Sequence, residues 1–284
     1  MPENAGLLHR HHLLLRRLHS LTGILPIGVF LIFHLTTNSS VLWGVANGRA
    51  EGEGLARGVE TFQHEVAWIN NLPAIFLIEL TLWLSIAFHA GLGLVYALSG
   101  KPNVRLYPYR DNWRYTLQRW TGYVGVVFIF YHVATLRWGW TILVPGGAEW
   151  SDHFAASTLA DALRGSTSAI TTAGLLVSIL YFVGVTCLVF HFANGLWTAA
   201  ITWGLTVSQG AQKRWGVVCA AIGAGLMLAG WSLSSASSSP TAMAAGGSRS
   251  ASWIENVGED RAREIILEHE PQREQTEQAM TQEP

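Results

Sequence analysis

Long apolar stretches separated by shorter polar ones dominate the pattern along this chain. A segment that is apolar on every side predicts a helix surrounded by lipid or by other helices, because an ordinary surface helix keeps one polar face. Each stretch is long enough for a helix to cross the roughly 30 Å hydrocarbon core of a bilayer. The five segments span residues 18–37, 71–98, 117–136, 169–201 and 214–233. The pattern therefore predicts an all-α fold, an integral membrane bundle of five transmembrane helices within residues 1–235.

The polar connection between the first two segments contains a weaker helical pattern. Its apolar residues recur every three or four positions, which is typical of an amphipathic helix lying on a membrane surface. These residues are Leu55, Val59, Phe62, Val66 and Ile69, and the opposite face carries Glu60, His64 and Glu65. The chain end, residues 236–284, is rich in small residues and then in Glu and Gln, so we predict a polar, disordered outer tail.

Composition and charge agree with a membrane protein. Of the 284 residues, 50% are hydrophobic and 13% charged, and the net charge of -1 leaves no basic excess for nucleic acid, which we exclude as a partner. The Lys and Arg residues concentrate at the N-terminus and in the second and fourth connections, as Arg10, Arg16, Arg17, Lys101, Arg105, Arg110, Arg114, Arg119, Lys213 and Arg214. The five segments predict a multi-pass protein, which we expect in the inner (cytoplasmic) cell membrane. The positive-inside rule then places the N-terminus in the cytoplasm and the C-terminus outside.

Four of the five apolar segments contain a histidine beyond their first few residues, and the fifth contains none; His19 lies at the very start of the first segment. The four are His34, His89, His132 and His191. Polar groups inside a membrane are costly and tend to face partners or cofactors. A single histidine of this kind is explained by a hydrogen bond to a neighbouring helix. Four in consecutive segments favour a shared explanation, and bis-histidine ligation of haem iron provides one.

The depth of each histidine predicts how the four are paired. His34 lies 4 residues before Asn38 and His132 lies 5 before Arg137, so both are roughly 6–8 Å from the outer ends of their helices. His89 and His191 lie 18 and 19 residues after the outer starts of theirs, roughly 27–29 Å deep. Equal depth pairs His34 with His132 and His89 with His191, which predicts two haems stacked across the membrane.

Polar and small residues near these histidines suit a haem. Its propionates need cationic or hydrogen-bonding partners, and we select Arg17, His19, Ser20, Gln118 and Arg119 at the inner ends and Arg137 outside. A flat macrocycle also needs close approach of the backbone. Glycines at 23, 28, 91, 93, 122, 125, 184 and 195 allow that approach, although tight helix–helix contacts explain any one of them equally well.

Glu79 is the one acid well inside an apolar segment. It lies 8 residues into the second segment, roughly 12 Å below the outer surface. A carboxylate there is protonated or paired. Two interpretations stay open, a proton relay and a structural hydrogen bond.

Several longer motifs surround the histidines. They are RRLHSLTGILPIGVFLIFHL in the first segment, QRWTG and HVATLR on either side of His132, and FHFANGLWTAAITWG around His191. With these motifs the chain resembles the five-helix, di-haem cytochrome b subunit of succinate:menaquinone reductases and of the related fumarate reductases. The resemblance covers residues 16 to about 233 and leaves out the tail.

The resemblance implies a membrane anchor for a flavoprotein and an iron–sulfur subunit on the cytoplasmic side. It implies that His89 and His191 ligate a proximal haem b, that His34 and His132 ligate a distal one, and that menaquinone or another quinone accepts the electrons. A quinone-site carboxylate found in some members falls near 63–65, which makes Glu65 and His64 candidates beside Glu79. Some members carry a proton-path glutamate at the position of Val189, so we expect no such path here.

Two other functions remain as alternatives. One is a di-haem cytochrome b subunit of another quinone-linked dehydrogenase, such as a hydrogenase or formate dehydrogenase. The other is a haem-free membrane anchor or transporter whose histidines bind protons. Internal repeats or broken helices in corresponding halves are typical of transporters, and the sequence shows neither.

Overall fold

Helices make up all of the regular secondary structure that the computed structural model describes, which covers residues 10–49, 54–100, 104–147, 149–152, 155–165 and 170–237. They are α1 His12–Ile24, α2 Pro26–Gly48, α3 Gly54–Asn70, α4 Ile75–Ser99, α5 Arg110–Leu136, α6 Ala155–Arg164, α7 Thr172–Thr202 and α8 Gln209–Ser237. Short turns at Thr141–Leu143 and Pro145–Gly147 lie between α5 and α6. Most of the predicted tail, residues 238–284, lies outside the described residues.

Four helical stretches within this described part are long and apolar enough to cross a membrane. They are His12–Gly48, which combines α1 and α2, then Ile75–Ser99, Thr172–Thr202 and Gln209–Ser232. These correspond to the first, second, fourth and fifth predicted segments. The third predicted segment is also helical and forms most of α5, but α5 is not among the four, because its first part is rich in charged and polar residues.

The first segment differs most from its predicted bounds. The helix is interrupted at Leu25, because the nitrogen of the following residue, Pro26, has no hydrogen to donate. The helix continues past residue 37, where the predicted segment ends, to Gly48. The run of Thr, Asn and Ser that suggested an end stays helical, and Ser39 Oγ donates to the carbonyl of Thr36 at 2.7 Å.

The described residues belong to two compact units. The first unit consists of Met1–Ser39, Glu65–Val133 and Ser178–Ser234. Its core joins α2, α7 and α8 through Leu35, Val189, Phe192 and Leu226, all nearly fully buried. All four of the selected histidines belong to this unit.

The second unit consists of Ser40–His64, Ala134–Val177 and Ser235–Pro284. Here α2 and α3 approach closely, because Gly44 has no side chain to collide with Thr61. The predicted amphipathic helix is confirmed as α3, with Val59 and Phe62 buried and Glu60 exposed. Helix α6, which the apolar pattern did not predict, packs through small and aliphatic side chains, among them Ala155 and Leu159.

Candidate functional site

The four histidines form two pairs in space. The ring centroids of His34 on α2 and His132 on α5 are 5.8 Å apart, with the ring planes at 76°. Those of His89 on α4 and His191 on α7 are 6.1 Å apart, at 81°. The rings that lie together are thus those of the two pairs expected at equal depth. The reference point used for His34 was wrong, because α2 does not end near Asn38, but the ring separations do not depend on it.

Both members of the His89/His191 pair have a fixed hydrogen-bonding partner. The Nδ1 of His89 lies 2.8 Å from the main-chain carbonyl oxygen of His19. The Nδ1 of His191 lies 3.0 Å from that of Gln118. A carbonyl oxygen only accepts, so each Nδ1 carries the hydrogen and donates it. In a neutral imidazole this leaves the lone pair on Nε2, which is the state that binds a metal.

The surroundings of the His34/His132 pair are aromatic. His34 stacks on Phe30 with centroids 5.3 Å apart, and His132 stacks on Phe128 at 5.8 Å. The hydroxyl of Tyr181 lies 3.4 Å from Nδ1 of His132. Tyr181 is only 8% exposed, so a buried hydroxyl lies beside Nδ1 of this histidine.

Several of the selected glycines make room for aromatic rings. A Cβ atom at Gly23 would lie 2.5 Å from Cε1 of His89, and one at Gly122 would lie 3.1 Å from Cε1 of His191. Gly28 and Gly184 accommodate the rings of Phe192 and Phe128 in the same way. A Cβ at Gly91, by contrast, would meet no atom within 4 Å in the described part of the chain.

His19, one of the polar residues selected at the inner ends, lies against His89. The ring of His19 stacks on that of His89 with centroids 4.0 Å apart and planes at 8°. Nδ1 of His19 and the hydroxyl of Tyr96 are buried, and neither has a hydrogen-bonding partner among the described residues. The rings of His19 and Tyr96 meet edge to face with centroids 5.8 Å apart, and the guanidinium of Arg16 lies 5.5 Å from the centre of the Tyr96 ring.

The other selected polar residues already have partners. Ser20 Oγ accepts from Trp203 Nε1 at 2.9 Å and donates to the carbonyl of Arg17. Arg119 donates to the carbonyls of Ala97 and Gly100, the latter at 2.6 Å. Gln118 donates through Nε2 to the main-chain carbonyl of His191 at 3.0 Å. Arg137 follows the end of α5 and is exposed.

The candidate quinone residues lie on α3 and α4. Glu79 on α4 and Glu65 on α3 are partly buried, whereas His64 on α3 is exposed. Their neighbour Gln63 has a structural role, because its Oε1 accepts from the amide of Ala155 at 3.0 Å. Val189, where some members of the resembled family carry a glutamate, is fully buried beside Leu35 and Phe192.

Comparison with known proteins supports the resemblance that the motifs suggested. The chain is 34% identical, over 200 residues, to the succinate dehydrogenase cytochrome b558 subunit of Bacillus subtilis (strain 168), and the match covers 70% of this chain and 83% of that relative. The chain belongs to this family of succinate dehydrogenase cytochrome b subunits. No protein-family model and no solved structure matches it. The resemblance stated from the motifs is confirmed, and it is favoured over the two alternatives, a cytochrome b subunit of another quinone-linked dehydrogenase and a haem-free anchor or transporter.

Membership in this family of succinate dehydrogenase subunits and the apolar helices together make the chain a multi-pass membrane protein. No group of three or more His, Cys, Asp or Glu side chains able to hold a metal ion occurs in the described part. The histidines occur as pairs instead, which is the number of protein ligands that a bis-histidine haem requires.

The sequence analysis did not select several polar residues that contact this site. They include Tyr96, Arg114, Thr121, Tyr181 and Asn194. Their positions carry a signal in hindsight, because a tyrosine or an asparagine inside a spanning helix needs a partner just as a histidine does. Which partner it finds depends on contacts between helices, and these are not visible in one helix alone.

Proposed function

We propose that this chain anchors a succinate dehydrogenase in the membrane and conducts electrons through two haems b to a quinone. His89 and His191 hold the inner, proximal haem, and His34 and His132 hold the outer, distal one. The observation that carries the proposal is the presence of two separate pairs of imidazoles, each pair formed by different helices.

The separations within the pairs support ligation of one iron by each pair. Bonds between a metal ion and an imidazole nitrogen are about 2 Å long, so two imidazoles that share one ion would need nitrogens no more than about 4 Å apart. Ring centroids lie further apart than these nitrogens, and centroid separations of 5.8 Å and 6.1 Å meet that requirement. Bound haem b supplies an iron that takes up and releases one electron at a time.

Two buried polar atoms support the position of the inner haem. Burying a polar group without a hydrogen bond costs roughly 1–3 kcal/mol, and both Nδ1 of His19 and the hydroxyl of Tyr96 are buried without one among the described residues. They lie beside the ring of His89 and near the guanidinium of Arg16. A haem carboxylate bound here would give both atoms a partner. Arg17, Ser20, Gln118 and Arg119 are the further candidates for the inner haem, and Arg137 is the candidate for the outer one.

The distance along α7 supports two haems rather than one. Tyr181, whose hydroxyl contacts His132, precedes His191 by ten residues on this helix. Ten residues correspond to about 15 Å of helix axis. One macrocycle therefore does not serve both pairs, and the two pairs form consecutive stations for an electron.

A fifth membrane crossing by α5 belongs to the proposal, because His132 on this helix is a partner of His34. The part of α5 from Trp120 to Leu136 contains no acidic or basic side chain except His132. The whole helix has 27 residues, or about 40 Å of axis. With five crossings and positive-inside charge, the N-terminus lies in the cytoplasm and the C-terminus outside.

The partners of the anchor follow from this orientation. A flavoprotein and an iron–sulfur subunit dock on the cytoplasmic side, where the Lys and Arg residues concentrate, and electrons from succinate enter at the His89/His191 pair. A quinone, menaquinone or a related one, reacts at the outer side. Glu79 precedes His89 by ten residues on α4, the same offset that separates Tyr181 from His191, so it lies at the depth of the outer pair. Glu79, Glu65 and His64 are the groups able to manage the quinone protons there.

Haem quantitation on the purified complex tests the proposal. We expect two b-type haems per chain by extraction and by reduced-minus-oxidised spectra. His12→Ala is a matched control, because His12 is exposed and belongs to neither pair, and it leaves the haem content unchanged. A folded complex with no haem overturns the proposal, and a ratio of one haem per chain overturns the assignment of two pairs.

A further inference from the structure

A chain of hydrogen bonds joins α5 and α7 beside His191. Arg114 Nε donates to Oδ1 of Asn194 at 2.8 Å, and Nδ2 of Asn194 donates to Oε1 of Gln118 at 2.8 Å. Gln118 Nε2 then donates to the main-chain carbonyl of His191 at 3.0 Å. Gln118 also accepts, through its own carbonyl, the Nδ1–H of His191 at 3.0 Å. Gln118 therefore holds both the backbone and the imidazole of His191.

This chain has one possible direction of donation. It begins at a guanidinium, which only donates, and ends at a carbonyl, which only accepts. Arg114 thus fixes which end of the Asn194 amide faces it, Asn194 fixes the amide of Gln118, and that amide in turn faces His191. Asn194 is 3% exposed, so no bulk water replaces a lost partner, and each broken link leaves a buried polar group unsatisfied.

The first member of the chain is itself held in place. The guanidinium of Arg114 lies 3.7 Å from the centre of the Trp197 ring, a cation–π contact. Trp197 Nε1 donates to the carbonyl of Gln212 on α8 at 3.0 Å. Arg114, from which the hydrogen bonds to His191 start, therefore contacts a tryptophan that is itself hydrogen-bonded to α8.

We propose that Asn194 is a positioning residue for His191 and through it sets the properties of the inner haem. This rests on the proposed function, in which His191 ligates iron. A hydrogen bond from the second ring nitrogen fixes the orientation of a ligating imidazole and raises its basicity. Asn194 keeps the side-chain amide of Gln118 on the main-chain carbonyl of His191, and this link between α5 and α7 keeps His191 where its Nδ1–H reaches the main-chain carbonyl of Gln118. Loss of the link lets α7 shift against α5, which weakens the Nδ1–H bond, makes the imidazole of His191 a weaker electron donor and allows the ring to turn from its 81° angle to His89.

The test compares Asn194→Leu with two other variants in the whole complex. Leucine is similar in size and uncharged, so it removes the link without placing a new charge near the haem. Thr198→Val is the matched control, because Thr198 lies one turn further on α7 and its hydroxyl donates within that helix, to the carbonyl of Gly195 at 3.0 Å. Tyr181→Phe perturbs the other pair by removing the hydroxyl near His132.

Redox titration of each haem and the ferric EPR signals are the measurements. We expect Asn194→Leu to keep two haems, to raise the midpoint potential of the inner haem and to shift its EPR signal, which depends on the angle between the imidazole planes. The outer haem stays as in the wild type. Tyr181→Phe is expected to change the potential and the EPR signal of the outer haem and to leave the inner haem as in the wild type. Thr198→Val is expected to change neither haem.

The outcomes that overturn the inference are distinct from those that overturn the proposed function. Two haems with unchanged potentials and EPR signals in Asn194→Leu mean that Asn194 only joins helices. An equal change in both haems means a general disturbance and equally rejects the positioning role. Should that variant not assemble, Gln118→Leu breaks the last link instead, and the same inner-haem shift is expected from it. A wild-type complex without two haems rejects the proposed function itself, before any variant is compared.

Discussion

His19 contacts His89 in two ways, since its main-chain carbonyl accepts the Nδ1–H of His89 at 2.8 Å and its ring stacks on that of His89 at 4.0 Å. The two contacts have different consequences. The carbonyl is part of the backbone of α1 and survives replacement of the side chain. The ring brings a buried nitrogen, Nδ1, next to the proposed inner haem.

We predict that His19→Phe and Tyr96→Phe each lower the midpoint potential of the inner haem while both haems stay bound. Phenylalanine keeps the stacking and the packing but removes one buried hydrogen-bonding group. A propionate that loses such a partner carries a less compensated negative charge, which favours the ferric state. Redox titration of the complex measures the change. An inner-haem potential equal to that of the wild type in both variants would mean that these two atoms do not serve a propionate.

Gly23 and Gly91 offer a matched test of close approach to the inner pair. Gly23→Ala places a methyl group 2.5 Å from Cε1 of His89, a separation that requires the imidazole to move. We predict that this variant loses or weakens binding of the inner haem and retains the outer one. Gly91→Ala meets no atom within 4 Å in the described part, so it leaves the imidazole of His89 in place and stabilises α4 by about 0.5–1 kcal/mol. Haem content and thermal unfolding of the two variants decide the point, and identical haem contents would contradict it.

The proposed ligand histidines were predictable from the sequence, whereas the end of α2 was not. The four histidines are recognisable because each lies in an apolar segment where an imidazole needs a reason, and helix rise groups them by depth. The end of α2 was not predictable, because its polar run from Thr36 to Ser40 looks like a turn. That run stays helical where Ser39 bonds to Thr36 and Gly44 allows α3 to approach.

Contacts between helices account for the residues that the sequence left unidentified. Asn194 has no special feature until Arg114 and Gln118, some 80 residues away in the chain, are seen on either side of its amide. Helix α6 was missed for another reason. Its buried positions include small residues such as Ala155, Ala160 and Ala162, which give a weak apolar signal compared with the spanning segments.

Glu79 provides a test of the outer quinone site. We predict that Glu79→Gln slows quinone reduction by the complex and leaves the spectra of both haems unchanged. The amide keeps the size and polarity of the side chain but does not act as an acid or a base near neutral pH. Quinone-dependent turnover is measured alongside reduction of the haems by succinate. Normal turnover in this variant would give Glu79 the structural role that the sequence left open.

The pairing of the four ligands leads to the most specific prediction. Removing either member of a pair damages the same haem, because each iron then has one protein ligand instead of two. His34→Ala and His132→Ala are therefore expected to lose or convert the outer haem alone. His89→Ala and His191→Ala are expected to lose or convert the inner haem alone.

Reduction by succinate separates the two classes of variant further. With the outer haem damaged, succinate still reduces the inner one, because electrons enter from the cytoplasmic side. With the inner haem damaged, the next station lies about 15 Å further along α7, so succinate reduces the outer haem poorly while dithionite, which needs no protein route, reduces it fully. Spectra of the four variants after each reductant give the result. If His34→Ala resembles His89→Ala and differs from His132→Ala, the imidazoles that lie 5.8 Å apart do not share an iron, and the helices contribute their ligands in another combination.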